Sequence, residues 1–205
     1  MAESAWSRPE TVAGFVASPP NATLLELASA ELPRAPRRRA FDLGCGAARN
    51  AVPLAAQGWR VLGLDLSLAM LHAARDRVER QLQDEHPLHL ALAAMDRLPV
   101  ADASADLLIA HGIWNLARSG EEFRQAVREA ARAAAHDAAL FVFTQFSGEP
   151  QCFLTGQQLL SELEAGGFVP DAAHPLRELN RPLPGALTAC RAPVIYEGLF
   201  RRRRQ

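Results

Sequence analysis

The stretch that decides the fold spans residues 41–50 and reads Phe41-Asp42-Leu43-Gly44-Cys45-Gly46-Ala47-Ala48-Arg49-Asn50. It continues an apolar strand candidate, Ala40–Leu43, and opens a helical pattern, Ala48–Gln57. Gly44 and Gly46 let the chain reverse tightly and bring bare backbone against a ligand, and a helix N-terminus there would point N–H donors at it. A dinucleotide-binding fingerprint needs Gly or Ala at position 49, where this chain has Arg49, so that interpretation fails.

Two further acids follow strand candidates downstream of the glycine loop. Asp65 comes after Val61–Leu64, 19 residues beyond Gly46. A carboxylate at the end of a strand can accept hydrogen bonds from vicinal ribose hydroxyls, although a helix N-cap or turn aspartate is the alternative interpretation. Asp96 follows the third strand candidate, His89–Ala93, and by itself would carry no meaning.

The order of these residues points to a family. Asp42, Gly44, Gly46 and Ala48 form an acidic residue followed by small residues at alternate positions, which resembles the first motif of the class I S-adenosylmethionine-dependent methyltransferases. Ala48 stands where the family has a third glycine. The longer string, continued by Gln57-Gly58-Trp59-Arg60-Val61, is similar to the branch with tellurite-resistance and thiopurine-type small-molecule methyltransferases. The resemblance implies S-adenosyl-L-methionine as cofactor.

The resemblance also implies a fold and a set of cofactor-binding residues. The expected fold is α/β: a Rossmann-like, seven-stranded, mostly parallel sheet with helices on both faces and a C-terminal antiparallel hairpin. Within it, Asp65 would bind the ribose, Asp96 the adenine amine with Met95 packed on the ring, and Ala110 and His111 would lie near the methionine part. The full cofactor set is Asp42, Gly44, Cys45, Gly46, Arg49, Asp65, Leu66, Met70, Met95, Asp96, Arg97, Ala110 and His111.

The loop after the fourth strand candidate, Asp106–Ala110, should flank the transferred methyl group, because ligands gather beyond the carboxyl ends of parallel strands. Trp114 and Asn115 are therefore substrate candidates, with a core position as the alternative for Trp114. Transfer from a sulfonium chiefly needs alignment and desolvation. If the acceptor must lose a proton, His111 is the catalytic candidate, since histidine titrates near neutral pH; the alternative is that it only holds backbone.

Composition excludes other chemistry. The chain has 205 residues, and its 22 basic residues are all Arg, so a lysine Schiff base and a P-loop lysine are impossible. With a formal net charge of −1 it has no overall basic field, so no nucleic-acid partner is expected, and the runs Arg37–Arg39 and Arg201–Arg204 are interpreted as solvated surface. Cys45 is interpreted as a small loop residue rather than a nucleophile.

The cysteine and histidine residues bear on the cellular compartment and on metal binding. Cys45, Cys152 and Cys190 are widely spaced, which favours a reducing, cytoplasmic location over a disulfide framework. No segment is long and apolar enough to predict a membrane span. His86 and His89 flank Pro87 without a matching carboxylate pair, so no metal is predicted. The oligomeric state stays open.

The pattern along the chain predicts one domain in three parts. Residues 1–35 form an N-terminal helical cap, residues 36–145 the cofactor-binding core, and residues 146–205 a C-terminal helix and hairpin. The predicted helices are Glu10–Ala17, Asn21–Leu32, Ala48–Gln57, Ser67–Gln83, Glu121–Ala135 and Thr155–Ala165. The later strand candidates are Leu140–Thr144, Leu176–Leu179 and Val194–Phe200, the last two joined by the Pro-rich stretch Arg181–Pro193.

The sequence thus predicts a methyltransferase with a small-molecule acceptor and an in-line displacement. Two alternatives remain. One is a methyltransferase that acts on protein or RNA, although the Asn/Asp-Pro-Pro-aromatic motif of amide and base N-methylation is replaced here by His111-Gly112-Ile113-Trp114. The other is a non-catalytic cofactor-binding protein.

Overall fold

The structure is a computed structural model that describes residues 5–82, 87–146, 154–179 and 194–203. Its helices are α1 (Pro9–Ala17), α2 (Ala22–Glu31), α3 (Ala51–Ala56), α4 (Leu68–Gln81), α5 (Gly120–Ala133) and α6 (Gly156–Ala165). Its strands are β1 (Arg39–Leu43), β2 (Arg60–Asp65), β3 (Leu88–Leu92), β4 (Ala105–His111), β5 (Ala134–Phe146), β6 (Phe168–Pro170), β7 (Arg177–Leu179) and β8 (Val194–Arg202). Short 3-10 turns cover Ala5–Ser7, Leu32–Arg34 and Trp114–Leu116.

All of these strands join one mixed sheet in the order β3-β2-β1-β4-β5-β8-β6, with β7 paired to β8. The first five strands in this order, β3, β2, β1, β4 and β5, run parallel to one another. Strand β8 pairs antiparallel with β5, β6 and β7. The described residues give eight strands rather than the predicted seven. The additional strand is β6, and both β6 and β7 are three-residue pieces that pair with opposite ends of β8, next to Arg202 and Glu197 respectively.

The Rossmann-like prediction is confirmed, and the main local differences lie at element ends. Strand β6 was not predicted, because three residues are too few to show an alternating pattern. Helix α5 was predicted to run to Ala135, but it ends at Ala133 and β5 begins at Ala134, where alanine fits either structure. Helix α3 starts at Ala51 rather than Ala48, because residues 46–50 form turns.

Two hydrophobic clusters cover the two faces of the sheet. Helices α2, α3 and α4 pack over one face with Leu24, Leu54 and Trp59 fully buried. Helices α5 and α6 pack over the other face, and this packing buries Phe123 and Leu163. The carboxyl ends of β1, β2, β3 and β4 therefore meet at one edge, which is where ligands bind in this class of sheet.

Several arginines in the two runs have internal partners. Arg201 donates to both carboxylate oxygens of the buried Glu31 at 2.5 and 2.6 Å and to Asp171 at 3.0 Å, which ties α2 to β8. Asp106 accepts from the backbone N–H groups of Arg37 and Arg39 at 3.0 and 3.1 Å. The interpretation of these runs as purely solvated surface is therefore incomplete.

Some predicted features lie outside the described residues: the Pro-rich stretch Arg181–Pro193, Cys152, Cys190, His86 and Arg204. Within the described ranges, no helix combines the length and the hydropathy that a membrane span requires.

Candidate active site

A cavity of about 500 Å³ opens at the carboxyl ends of the first four strands. It is bordered by the glycine loop, the ends of β2 and β4, the loop after β3 and the N-terminal segment. The lining residues are Trp6, Ser7, Phe15, Leu43, Gly44, Gly46, Leu64, Asp65, Leu66, Ser67, Leu68, Met70, Ala93, Ala94, Met95, Asp96, Leu98, His111, Gly112, Ile113, Leu116, Arg118 and Glu122. Its size suits a small-molecule ligand site.

The cavity brings together most of the predicted cofactor residues. Those that line it are Gly44, Gly46, Asp65, Leu66, Met70, Met95, Asp96 and His111. The predicted residues that do not line it are Asp42, Cys45, Arg49, Arg97 and Ala110. Asp42 and Cys45 are buried beneath the loop, Ala110 is buried in the core, and Arg97 is exposed.

The glycine loop offers bare backbone surface rather than N–H donors. The N–H groups of Gly44 and Cys45 both donate to the carbonyl of Leu64, at 2.7 and 2.9 Å, and the N–H of Gly46 donates to Asp65 Oδ2 at 2.8 Å. These three N–H groups therefore have partners within the chain, and the helix N-terminus that was expected to point donors at a ligand begins only at Ala51. What glycine supplies here is close approach, since Gly44 has φ +69° and an added Cβ would lie 2.7 Å from Ile113 Cδ1.

Ala48 adopts the conformation that explains why glycine is usual at its position. Its φ is +57°, in the left-handed region that costs a residue with a Cβ about 1–2 kcal/mol. Its methyl group is fully buried in the cluster under α2 and α3. Alanine in place of the family's glycine therefore adds backbone strain, and its buried methyl group adds favourable apolar contact.

Asp65 holds the loop and faces the cavity at the same time. Its Oδ2 accepts from the Gly46 N–H at 2.8 Å, and its Oδ1 accepts from the Ser67 N–H at 2.8 Å. A carboxylate has about four acceptor positions, so two remain for a ligand's hydroxyl groups. Ser67 in turn caps α4 by accepting from the Met70 N–H at 3.3 Å. The carboxylate is thus fixed from two sides before any ligand arrives.

One end of the cavity lies beyond β3. Met95 and Asp96 line it there, each half-buried, with the fully buried Leu98 beneath them. Sequence reasoning missed the two residues that close this end, Arg118 and Glu122, which form an ion pair at 2.7 Å. Their i, i+4 spacing across the start of α5 was the available signal.

Asp42 is a buried carboxyl group with an unsatisfied oxygen. It is 1% exposed, and its Oδ2 has no hydrogen-bond partner. Burial raises its pKa from 3.8 to about 7, opposed by the nearby Arg49 guanidinium and reinforced by the Asp65 charge. The unsatisfied oxygen lies beneath the glycine loop and outside the lining of the cavity.

The raised pKa of Asp42 predicts a stability difference that depends on pH. The folded state binds the proton more tightly than the unfolded state, so this group's contribution to the free energy of unfolding falls as pH rises from about 4 to 7. Asp42→Asn, which imitates the protonated form, should gain stability relative to the parent between pH 5 and pH 8. One pKa unit corresponds to about 1.4 kcal/mol, and about two units lie between pH 5 and the folded pKa of about 7, so the gain between pH 5 and pH 8 is at most about 3 kcal/mol.

Chemical denaturation of the parent and of Asp42→Asn at pH 5 and pH 8 measures this difference. A stability gap that is the same at both pH values would contradict the burial of an ionisable Asp42 carboxyl group.

His111 lies at the cavity wall as predicted, but it is not a base poised near neutral pH. Its ring stacks on Phe143 with centroids 4.3 Å apart and planes 4° apart. Desolvation and the Arg49 charge lower its pKa from 6.5 to about 3, so the ring is neutral at pH 7. Arg49 Nη2 lies 3.1 Å from His111 Nδ1, and because a guanidinium can only donate, this contact is a hydrogen bond in the tautomer that carries its proton on Nε2.

Trp114 does not form a wall of the cavity. Its side chain is 1% exposed and packs edge-on against Phe123 in the core, with ring centroids 5.9 Å apart. Ile113 and Leu116 of the same loop line the cavity instead. Asn115 is half-buried and also absent from the lining, so neither predicted substrate residue borders the cavity. The 3-10 turn over Trp114–Leu116 rotates successive side chains to different sides, which periodicity could not reveal.

Cys45 behaves as a buried loop residue. Burial and the nearby carboxylates of Asp42 and Asp65 raise the pKa of its thiol, which keeps it protonated and unreactive. A Cβ on Gly63 would lie 3.0 Å from the Cys45 Sγ, so a side chain larger than that of glycine would not fit at position 63. Among the described residues, no group of three or more His, Cys, Asp or Glu is arranged to hold a metal ion.

The N-terminal segment covers one side of the cavity. Trp6 and Phe15 line it and pack edge-on, with ring centroids 5.9 Å apart, and Phe15 Cδ1 lies 3.2 Å from an ideal Cβ on Gly46. Two hydrogen bonds fasten the segment to the α4 region: Ser67 Oγ donates to the Trp6 carbonyl at 3.2 Å, and Arg77 donates to the Val16 carbonyl at 2.6 Å. The sequence marked both aromatic residues for packing without indicating what they would cover.

These features fit S-adenosylmethionine as the occupant. The backbone of Gly44 and Gly46 lines the cavity, and the Asp65 carboxylate beside it keeps free acceptor positions for hydroxyl groups. Met95 and Asp96 together offer an apolar contact and an acceptor at the far end of the cavity, where a purine amine could bind.

Comparison with known proteins identifies the core. Residues 41–142 match the family described as "Methyltransferase domain". A search of the curated proteins found no match to this chain.

Solved structures share the fold at low sequence identity. A SAM-dependent methyltransferase from Methanosarcina mazei is 15% identical with a TM-score of 0.65, over 82% of this chain and 93% of that one. The Burkholderia thailandensis 1,6-didemethyltoxoflavin-N1-methyltransferase, solved with its substrate and S-adenosylhomocysteine, is 17% identical with a TM-score of 0.66, over 88% and 78%.

The [4+2]-cyclase SpnF is 17% identical with a TM-score of 0.69, over 88% of this chain and 80% of that one, so the fold alone does not fix a reaction. The domain match is stronger evidence for methyl transfer than the fold is, because it covers the glycine loop and the acids that border the cavity. Residues 41–142 therefore form a methyltransferase domain, on a fold shared with a solved S-adenosylmethionine-dependent methyltransferase.

Proposed function

We propose that this methyltransferase transfers the methyl group of S-adenosylmethionine to a small-molecule acceptor by in-line displacement. The observation that supports the proposal is the cavity of about 500 Å³, a volume typical of small-molecule sites, which Trp6, Ser7 and Phe15 of the N-terminal segment help to line. A small acceptor fits beside the cofactor in such a space, whereas a protein or RNA strand requires an accessible surface.

The cofactor roles follow the order of the strands along the cavity. Asp65 at the end of β2 would accept from the ribose hydroxyls, and Asp96 beyond β3 from the adenine amine, with Met95 against the ring. Gly44 and Gly46 would lie against the methionine part, and Asp42 would accept from a donor above it. The bound cofactor supplies an electrophilic methyl group on a positively charged sulfur.

The chain's own contribution to the transfer is positioning and exclusion of water. Ile113, Leu116 and Phe15 present apolar surface near the β4 end of the cavity, which desolvates an acceptor held there. The neutral His111 ring adds no charge, and Arg49 Nη2 lies 3.1 Å from its Nδ1. The transfer we propose therefore proceeds with His111 as a neutral wall rather than as a general base.

This role for His111 predicts a rate that does not follow its titration. With a pKa near 3, the ring stays neutral from pH 5 to 9, so kcat/KM should show no inflection near pH 6.5 from this residue. The pH profiles of the parent and of His111→Gln, measured with the accepted substrate, test this. An inflection near pH 6.5 that disappears in His111→Gln would restore the general-base role.

The acceptor class is tested with S-adenosylmethionine that carries a deuterated methyl group. Thiols, phenols, selenite and tellurite are offered beside a peptide and RNA panel, and products are read by mass spectrometry. We expect the label on a small molecule, and none with Asp65→Ala. Label on a polymer alone would contradict the proposal, and cofactor binding without any labelled product would favour a non-catalytic role.

A further inference from the structure

Asn21 joins four separate parts of the molecule at the border of the candidate site. Its Oδ1 caps α2 by accepting from the Leu24 N–H at 2.9 Å, and its own backbone N–H donates to Asn50 Oδ1 at 3.0 Å. Its Nδ2 donates to Glu197 Oε2 at 3.3 Å and lies 3.3 Å from His111 Nε2. Along the sequence, Asn50 lies 29 residues from Asn21, His111 lies 90 residues away and Glu197 lies 176 residues away.

The cap fixes which end of the Asn21 amide faces the ring. Because Oδ1 is committed to the Leu24 N–H, the group that faces His111 and Glu197 is the NH₂. Glu197 is 1% exposed, and its other oxygen accepts from Arg177 at 3.0 Å. A buried carboxylate therefore holds the Asn21 amide in this orientation as well.

His111 is consequently bordered by a donor at each ring nitrogen. Arg49 Nη2 lies 3.1 Å from Nδ1 and Asn21 Nδ2 lies 3.3 Å from Nε2. A neutral imidazole has one acceptor nitrogen, so it accepts from only one of these donors at a time, and the other nitrogen carries the proton. Stacking on Phe143 fixes the ring plane, which leaves the tautomer as the remaining variable.

We propose that Asn21 is a positioning residue of the methyl-transfer site, which holds the His111 imidazole at the cavity wall and competes with Arg49 for its lone pair. The inference rests on the proposed function in that His111 borders the reacting end of the cavity. It adds a residue outside the methyltransferase domain match, which begins at position 41. The N-terminal segment thereby helps to build the site that it covers.

The test separates positioning from helix capping. Asn21→Ser keeps a good N-cap and removes the NH₂ group, whereas Asn21→Ala removes both. Thr155→Ala is the matched control, because Thr155 caps α6 by accepting from the Gln158 N–H at 3.2 Å and does not line the cavity. Melting temperatures should fall in Asn21→Ala and Thr155→Ala more than in Asn21→Ser.

Two readouts then decide the matter. In ¹⁵N-histidine spectra, with the His111 signals among the six histidines assigned by His111→Gln, Asn21→Ser should shift the ring toward the tautomer protonated on Nε2. Calorimetry should show S-adenosylmethionine bound more weakly by both Asn21 variants, because the His111 ring that borders the cavity is no longer held; the loss should not exceed the factor of about 2 to 12 that one net hydrogen bond to the ring is worth. Thr155→Ala should match the parent in both measurements.

Parent-like histidine spectra and parent-like affinity in Asn21→Ser would overturn the proposal and leave Asn21 as a helix cap. If the parent itself binds no S-adenosylmethionine, the cofactor site fails as a separate matter. The histidine spectra still decide whether Asn21 controls the His111 ring, because that readout needs no cofactor.

Discussion

Asp65→Ala should lower the affinity for S-adenosylmethionine by about 100-fold or more. Two charge-assisted hydrogen bonds to the ribose, each worth about 1.5 kcal/mol, account for a factor of that size. The substitution also removes the acceptor of the Gly46 N–H at 2.8 Å, so the glycine loop loses one of its supports. Calorimetric titration of the parent and of the variant measures the change directly.

Two companion variants make the Asp65 result specific. Asp76→Ala removes an exposed carboxylate from α4 and should bind like the parent. Asp65→Asn keeps one acceptor oxygen and should fall between the parent and Asp65→Ala. Parent-like binding by Asp65→Ala, with its melting temperature preserved, would show that this carboxylate does not contact the cofactor.

Gly44→Ala should destabilise the fold by about 3 kcal/mol, the sum of left-handed backbone strain and a steric overlap. The φ of Gly44 is +69°, and a Cβ there would lie 2.7 to 2.9 Å from three atoms of Ile113. Gly112→Ala is the matched control, because Gly112 has φ +71° and no heavy atom within 4 Å of its Cβ position. It should show the strain alone, about 1–2 kcal/mol.

A double variant separates the overlap from the strain. Ile113→Ala removes the side chain that the new methyl group would meet, so Gly44→Ala should cost less in that background than in the parent. Denaturant titration of the four proteins gives the coupling free energy. Additive costs would mean that the loop moves away from Ile113 and that the close approach at Gly44 is not required.

The sequence predicted which residues meet at the carboxyl edge of the sheet, because its signals there are local. A strand, two glycines and a following helix lie within residues 39–56, and Asp65 and Asp96 each follow their strand directly. Parallel strands must bring these carboxyl ends together, so short-range patterns were enough to place the cavity.

What the sequence could not predict depends on long-range contacts or on side-chain rotation. The depressed pKa of His111 is set by burial and by Arg49, 62 positions away, and no local pattern encodes that distance. Asn21 looked like a helix start, and its contact with Glu197 appears only when β8 is inserted beside β5. For Trp114 the structure bears out the core alternative rather than the substrate role, because a one-turn 3-10 segment has no periodicity from which to choose between them.

The most direct test of the central claim is a crystal structure of the chain with S-adenosylhomocysteine. We predict the ribose hydroxyls at the Asp65 carboxylate, the adenine beside Met95 and Asp96, and the sulfur near Gly44 and the β4 end, facing the space between Phe15 and Ile113. A cofactor bound elsewhere, or bound here with its ribose away from Asp65, would contradict the account.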